Sequence, residues 1–359
     1  MTGDTPARAA HKHSHVKADG RMLYLYGWRP HDQRATEEIA PAPTPRPYRR
    51  WHPFRREWVT YAAHRQTRTF KPPPEYCPLC PTKVGGVAGE IPFTDFDVAV
   101  FQNRFPAFHH DAPDGPDLPV LPVPTATANG ACEVVVFTAA HQGGLAGLTQ
   151  DRRELLVHAW TDRYSALLAQ DGVEFVLPFE NRGEEVGVTL HHPHGQIYAF
   201  PFVPPVQQSA VDTFREGPAL ARLLDRLGAT YVVCQNGGMI AFVPPFARFP
   251  YEVWIAPKRA VPGPWAFAPA EVVDYAALLG EVAARYDALF DRPFPYIMSL
   301  HAAPKGEEAT FHFHTQFYPP LRTADKLKYL AGVEQAAGAF LMDALPEDTA
   351  AQLRSVAVR

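Results

Sequence analysis

The apolar positions along the chain follow two periods. "DVAVFQNRF" and "CEVVVFTAAH" are short, β-branched and aromatic, and read as buried strands. "DRRELLVHAWTDRYSALLAQ" places Leu155, Leu156, Ala159, Tyr164, Leu167 and Leu168 at helical spacing. "VEFVLPFENRG" and "GQIYAFPFV" then read as two further strands, and "EWVTYAAHR" as an earlier one. Between them "PAPTPRP" (41–47) predicts a stiff extended linker, and "KPPPEYCPLCP" can only be a loop. Residues 1–20 are polar, with His11, His13 and His15 alternating, and are expected to be mobile.

The second half repeats this order. "RFPYEVWIAPKR" is similar to "RFPAF" followed by "EVVVFTAAH", and "PAEVVDYAALLGEVAARYDALF" supplies a second long helix. In it Arg285 and Tyr286 match Arg163 and Tyr164. "YIMSLHAAP" matches "FVLPFENRG", and "HFHTQFY" matches "HPHGQIY". The offset stays near 120 residues (192 to 312, for example), which indicates duplication. Strand, strand, long helix, strand, strand predicts an antiparallel α+β half used twice.

Composition narrows the class. Of 359 residues, 46% are hydrophobic and 20% charged, enough for a sizeable core. The 38 prolines are about twice the usual ~5% and argue against a helical bundle. A net charge of −4 gives no basic surplus for nucleic acid, and no run of like charge suits a membrane surface. No apolar stretch reads as a signal peptide or a membrane span. Four cysteines in a long chain do not form a secreted disulfide framework; a reducing cytoplasm with a metal-binding pair is expected.

The densest chemistry is in "LHHPHGQIY". On a strand, His192, His194 and Gln196 would project from one face. Pro193 removes a backbone donor and restricts His192 to an extended conformation. The His192 carbonyl can then accept a hydrogen bond from a ring N–H of His194, fixing one tautomer and leaving the other nitrogen as a nucleophile. "CPLC" offers Cys77 and Cys80 from one tight loop. Zinc needs two more ligands, and His141 and His192, at strand ends, are the candidates. A redox pair fits less well, because no βαβ pattern surrounds the motif. Cys132 and Cys234 lie in apolar strands and read as core.

The carrying segments "HRQTRTF", "CPLCP", "FQNRFPAF", "VFTAAH", "FENRGEEVGVTLHHPHGQIYAFPF", "HFHTQFYPPL" and "KYLAGVE" span nearly the whole chain. With them the sequence resembles the galactose-1-phosphate uridylyltransferase family, the transferase branch of the histidine-triad superfamily. The resemblance implies two histidine-triad-like halves sharing a mainly antiparallel half-barrel sheet flanked by helices. The expected segments are a flexible N-terminal stretch with linker (1–45), halves at 46–206 and 207–345, and a tail at 346–359.

It further implies a double displacement. His194 attacks the α-phosphorus of UDP-glucose, glucose 1-phosphate leaves, and galactose 1-phosphate takes the uridylyl group. Gln196 would donate to a phosphoryl oxygen; histidine-triad hydrolases carry a third histidine there. By the same resemblance Asn181 and Thr189 match phosphate contacts, and Arg65 and Arg68 match basic residues near the nucleotide phosphates. Asn103 matches a uridine contact, followed by Arg104 at a variable position. Cys77, Cys80, His141 and His192 match the ligands of one Zn2+. Lys328 and Glu334 match a segment that reaches the hexose in the partner subunit's site, as family members are homodimers with shared active sites.

Two departures are visible. Some members hold a second metal through one glutamate and three histidines. His301 and His314 match two of these, but Gln316 and Ala210 stand at the others, with His312 a possible substitute, so no second metal, or only a weak one, is expected. Phe340 replaces a glutamine that touches the hexose, which leaves the hexose open. Base choice, near Asn103, leaves a phosphorylase acting on ADP-glucose or a dinucleoside polyphosphate as the alternative enzyme. A zinc-stabilised nucleotide-binding module without turnover is the non-enzymatic alternative.

Overall fold

The computed structural model describes residues 8–42, 44–67, 71–119 and 123–358. In chain order the first strands are β1 (His11–Val16), β2 (Met22–Gly27), β3 (Tyr48–His52), β4 (Glu57–Tyr61), β5 (Val98–Gln102), β6 (Thr125–Thr127) and β7 (Ala131–Val136). Helix α1 (Gln150–Leu168), β8 (Phe175–Arg182) and β9 (His194–Phe200) follow. Then come α2 (Pro205–Arg215), α3 (Ala219–Arg226), β10 (Val232–Gln235), β11 (Met239–Phe242), β12 (Val253–Pro257) and α4 (Pro269–Leu289). Strands β13 (Tyr296–His301) and β14 (His314–Tyr318) and helix α5 (Pro346–Ser355) complete the chain. The two long helices and the strands around them lie where the periodicities predict.

Two compact units divide the chain. The first comprises Met1–Gln142, Leu155–Val176 and His192–Pro205; the second comprises Gly143–Glu154, Leu177–His191 and Val206–Arg359. In the first, β1, β2, β5, β7 and β9 form an antiparallel sheet in that order, and β4, β3 and β6 a smaller one. The C-terminal part of α1 covers the larger sheet with Leu155, Leu156, Ala159, Trp160, Tyr164 and Leu167, all buried. An ion pair is buried beneath this helix: Arg163 donates from Nε and Nη2 to both carboxylate oxygens of Glu133 on β7, at 2.8 and 2.7 Å. The bidentate geometry satisfies both charges where water cannot.

The N-terminal stretch differs from expectation. Residues 11–27 are a strand pair, not a mobile tail, because β2 alternates apolar side chains that the sheet buries. Leu23, Leu25 and Tyr26 are at most 3% exposed, and β2 pairs with β5. The Tyr26 hydroxyl donates to Asp162 at 2.6 Å, and Lys12 reaches the same carboxylate at 2.7 Å. The alternating histidines of β1 therefore belong to an ordered strand, with His15 Nε2 at 2.8 Å from Glu38.

The second unit contains an antiparallel sheet in the order β8, β13, β14, β12, β11, β10. Helix α4 packs on it, burying Tyr275, Leu278, Leu279, Val282 and Tyr286. Tyr275 exchanges a hydrogen bond with Thr315 at 2.5 Å, and Tyr286 donates to the Tyr251 carbonyl at 2.7 Å. Gly183 ends β8 at φ 97°, and a Cβ there would meet Pro295 Cβ at 2.6 Å. The glycine of "FENRG" is thus required by both backbone and space. The fold is α+β with open antiparallel sheets, as the pattern predicts.

Glu180 on β8 is 3% exposed, and Tyr296 donates to it at 3.1 Å. Burial pushes its carboxyl up to about 7, partly offset by Arg182. Between the ordinary 4.5 and about 7 the folded chain then binds more protons than the unfolded one, so this group makes stability fall as pH rises. Glu180→Gln keeps the acceptor for Tyr296 and removes the charge. The variant is expected to flatten that slope and gain of order 2 kcal/mol at pH 8. Urea midpoints at pH 5 and pH 8 measure it; an equal shift at both pH values would count against a titrating Glu180.

Candidate active site and metal centre

Strand β9 sets the site. Gly195, Ile197 and Ala199 are buried, whereas His194, Gln196, Tyr198 and Phe200 are half-buried and share the opposite face. The strand pairs with β7, with His194 opposite Val136 and Gln196 opposite Val134. Pro193, just before it, has no N–H to offer, but its carbonyl accepts from Phe137 N at 3.1 Å and continues the ladder.

His194 and His192 are held by carbonyls. His194 Nδ1 lies 2.7 Å from the His192 carbonyl, and His192 Nε2 lies 2.7 Å from the Thr138 carbonyl. A carbonyl only accepts, so the proton of His194 sits on Nδ1 and that of His192 on Nε2. His194 Nε2 and His192 Nδ1 are therefore lone pairs. Burial lowers the pKa of both rings, that of His192 to about 4, which keeps each imidazole neutral at neutral pH. A neutral ring with its tautomer fixed and Nε2 bare is a competent nucleophile.

The His192 lone pair points to sulfur. Its Nδ1 is 3.4 Å from Cys80 Sγ and 3.9 Å from Cys77 Sγ, and His141 Nδ1 is 3.3 Å from Cys80 Sγ. One ligand atom from each of the four residues lies within 4.8 Å of the others. Burial and the neighbouring Cys77 push the Cys80 thiol up to about 12, a cost that a bound cation would reverse. Two sulfurs and two imidazole nitrogens, that of His192 with its tautomer fixed, fit a tetrahedral ion of the zinc type. Among the described residues one other group, His109, His110 and Asp111, comes as close, and two of those three are exposed.

Gln196 is oriented from β5. Asn103 Nδ2 donates to Gln196 Oε1 at 3.4 Å, while Asn103 Oδ1 accepts from Phe105 N at 2.8 Å. With its oxygen occupied, Gln196 keeps its amide N–H groups as donors on the His194 face. Arg65 Nη1 donates to the Tyr198 hydroxyl at 2.8 Å and reaches the Phe105 carbonyl at 3.4 Å. One face thus gathers His194, Gln196, Asn103, Tyr198 and Arg65. Tyr198 is absent from the sequence-based set, although its position two residues after Gln196 already assigns it to that face.

Arg68 is outside the described residues. Asn181 and Thr189 belong to the second unit, Asn181 on β8 opposite Ile297 and Thr189 half-buried in the following loop. Lys328 and Glu334, also of the second unit, meet at 3.4 Å, and Lys328 also bonds the Leu341 carbonyl. His191 is exposed, with Nε2 at 3.4 Å from Glu184.

Models of the galactose-1-phosphate uridyl transferase N-terminal and C-terminal domains match residues 41–204 and 219–359. The chain belongs to the galactose-1-phosphate uridyl transferase family. Its relatives include galactose-1-phosphate uridylyltransferase of Thermotoga maritima, 40% identical, with 86% of this chain and 98% of that protein covered. The enzyme of that name from Streptomyces lividans is 35% identical over 81% of this chain and 82% of its own length. A solved structure described as a uridylyltransferase superposes with a TM-score of 0.76 at 30% identity, covering 86% of this chain and 97% of the other. The matched N-terminal domain of this uridyl transferase family chain includes every residue of the His194 face.

Proposed function

We propose that the chain transfers UMP from UDP-glucose to galactose 1-phosphate by double displacement through His194. The observation that carries this reading is the His194 ring, neutral, held at Nδ1 by the His192 carbonyl and bare at Nε2. In the first half-reaction Nε2 attacks the α-phosphorus. The bond from that phosphorus to the bridging oxygen breaks, and glucose 1-phosphate departs with the electron pair. In the second, a phosphate oxygen of galactose 1-phosphate attacks the same phosphorus, the P–N bond breaks, and the imidazole lone pair is restored. Gln196 donates to a non-bridging oxygen as charge develops. A neutral amide gives water no general base at that position, which favours transfer over hydrolysis.

Family membership supports the remaining assignments. Arg65, Arg68, Asn181 and Thr189 serve the phosphates, Asn103 the uridine, and Lys328 and Glu334 the hexose within a homodimer. Cys77, Cys80, His141 and His192 hold one Zn2+. Cys77 and Cys80 of the "CPLC" loop would hold the ion together with the rings of His141 and His192, and the His192 carbonyl holds the proton on His194 Nδ1. We assign the chain to the cytoplasm, where Cys77 and Cys80 stay reduced; all four cysteines are free, and among the described residues no helix is long and apolar enough to cross a membrane.

Isotope exchange tests the reading. Labelled glucose 1-phosphate should exchange into UDP-glucose with no galactose 1-phosphate present, because the first half-reaction stands alone. Exchange that requires the second sugar phosphate, or that runs with ADP-glucose in place of UDP-glucose, would overturn it. Asn103→Ala removes the donor that fixes the Gln196 amide. We expect kcat to fall by about tenfold at saturating UDP-glucose, since one charge-stabilising donor loses its orientation. Rapid-quench rates of the first half-reaction measure this directly; an unchanged rate would remove Asn103 from the positioning of Gln196.

A further inference from the structure

The second unit repeats the histidine geometry in different surroundings. His314 opens β14 as His194 opens β9, and its Nδ1 lies 2.9 Å from the His312 carbonyl. His312 Nε2 in turn lies 2.9 Å from the Pro257 carbonyl at the end of β12. The same acceptor argument puts the His314 proton on Nδ1 and leaves Nε2 as a lone pair. The ring is 3% exposed, and burial holds it neutral, with its pKa lowered to about 4.

Both faces of this ring are covered. Trp254 stacks at 4.8 Å and 15°, and His301 at 5.1 Å and 3°. Only an edge remains, and among the described residues Nε2 has no hydrogen-bond partner. The neighbouring His301 is engaged at both nitrogens: Nε2 meets Ser299 Oγ at 3.0 Å and Tyr318 OH at 3.3 Å, and Nδ1 meets Gln207 Nε2 at 3.4 Å.

His314 lines a cavity of 530 Å³ within the second unit. Ala210 and Phe214 of α2, Leu223 of α3, Phe246 and Trp254 supply apolar walls. Among the described residues no side chain lining it carries a formal charge at neutral pH. Ser209, Thr213, His301 and Gln316 also line it; the Thr213 hydroxyl donates to the Ser209 carbonyl, Gln316 Oε1 accepts from the Tyr318 hydroxyl, and His301 is engaged at both nitrogens. The volume falls within the ~300–1,000 Å³ of small-molecule sites, and largely apolar walls with a few polar groups are their usual chemistry. A phosphorylated sugar or nucleotide would find no cation there. A metal ion would find a single open nitrogen, short of the three or four ligands it needs.

We propose that this cavity binds a small uncharged aromatic molecule carrying one hydroxyl or N–H group, which donates to His314 Nε2. The aromatic body packs against Phe214, Phe246 and Trp254, and the donor satisfies an acceptor that the protein leaves unpaired in an apolar wall. This site is separate from the uridylyl transfer proposed above, and its test uses no nucleotide.

Calorimetric titration of the full chain with 4-ethylphenol, ethylbenzene and phenyl phosphate tests it. Saturable binding of one 4-ethylphenol per chain is expected, with ethylbenzene at least tenfold weaker and phenyl phosphate not binding. Ala210→Leu narrows the cavity and should weaken 4-ethylphenol at least tenfold. His314→Phe keeps a ring and removes the acceptor, so it should erase the preference for 4-ethylphenol over ethylbenzene. The proposal is overturned if wild type does not bind 4-ethylphenol or binds phenyl phosphate as well. Unchanged affinity in Ala210→Leu, or an unchanged preference in a folded His314→Phe, would also overturn it.

Discussion

His194→Gln should abolish uridylyl transfer, lowering kcat by roughly four orders of magnitude or more, while the protein still melts cooperatively and still binds UDP-glucose. The size of the effect follows from what is lost. Among the described residues, the side chains gathered with His194 on this face offer no second nucleophile of its kind: Gln196 and Asn103 are amides, Arg65 is a cation, and Tyr198 holds its hydroxyl against Arg65. An amide at position 194 can still donate to the His192 carbonyl, so the local backbone keeps its bond and only the lone pair disappears. The expected signature is therefore loss of kcat with little change in nucleotide affinity. Substantial residual turnover would move the nucleophile elsewhere.

The second large effect is on stability. Cys77→Ser removes one member of the cluster of Cys77, Cys80, His141 and His192, which could hold a metal ion. Metal binding to preformed thiolate and imidazole ligands is folding free energy, on the order of 10 kcal/mol for small zinc sites. Losing one thiolate should cost several kcal/mol of this and lower Tm by about 10 °C. Chelation of the wild-type protein should do the same, and the variant should respond little to chelator. His192 links the two effects, because its ring faces the sulfurs and its carbonyl holds His194. A chelator-treated sample should thus lose activity along with stability. Freshly purified protein with less than half an equivalent of zinc per chain, or a Tm unmoved by Cys77→Ser, would contradict the four-ligand site.

Much of this site is local, and for that reason was legible in the sequence. Period-two alternation put His194 and Gln196 on one face, and Pro193 forced the extended conformation that presents the His192 carbonyl. The near-constant offset of about 120 residues announced the second half, and the structure repeats even the carbonyl bonds of the histidine pair. What the sequence hid depends on distant partners. Asn103 and Gln196 are 93 residues apart and meet only because β5 and β9 both pair with β7. The strand β1 is mostly polar, so its order comes from pairing with β2 and not from its own pattern. The cavity beside His314 exists because α2 and α3 stand over β14, which no periodicity encodes.

The central claim is that His194 carries the uridylyl group between the two sugars. Mass spectrometry of the protein mixed with UDP-glucose alone tests it most directly. We predict one uridylyl group per chain on the peptide bearing His194, labile to acid and stable to base, with one equivalent of glucose 1-phosphate released. An unmodified protein, or a uridylyl group on any other residue, would contradict the account.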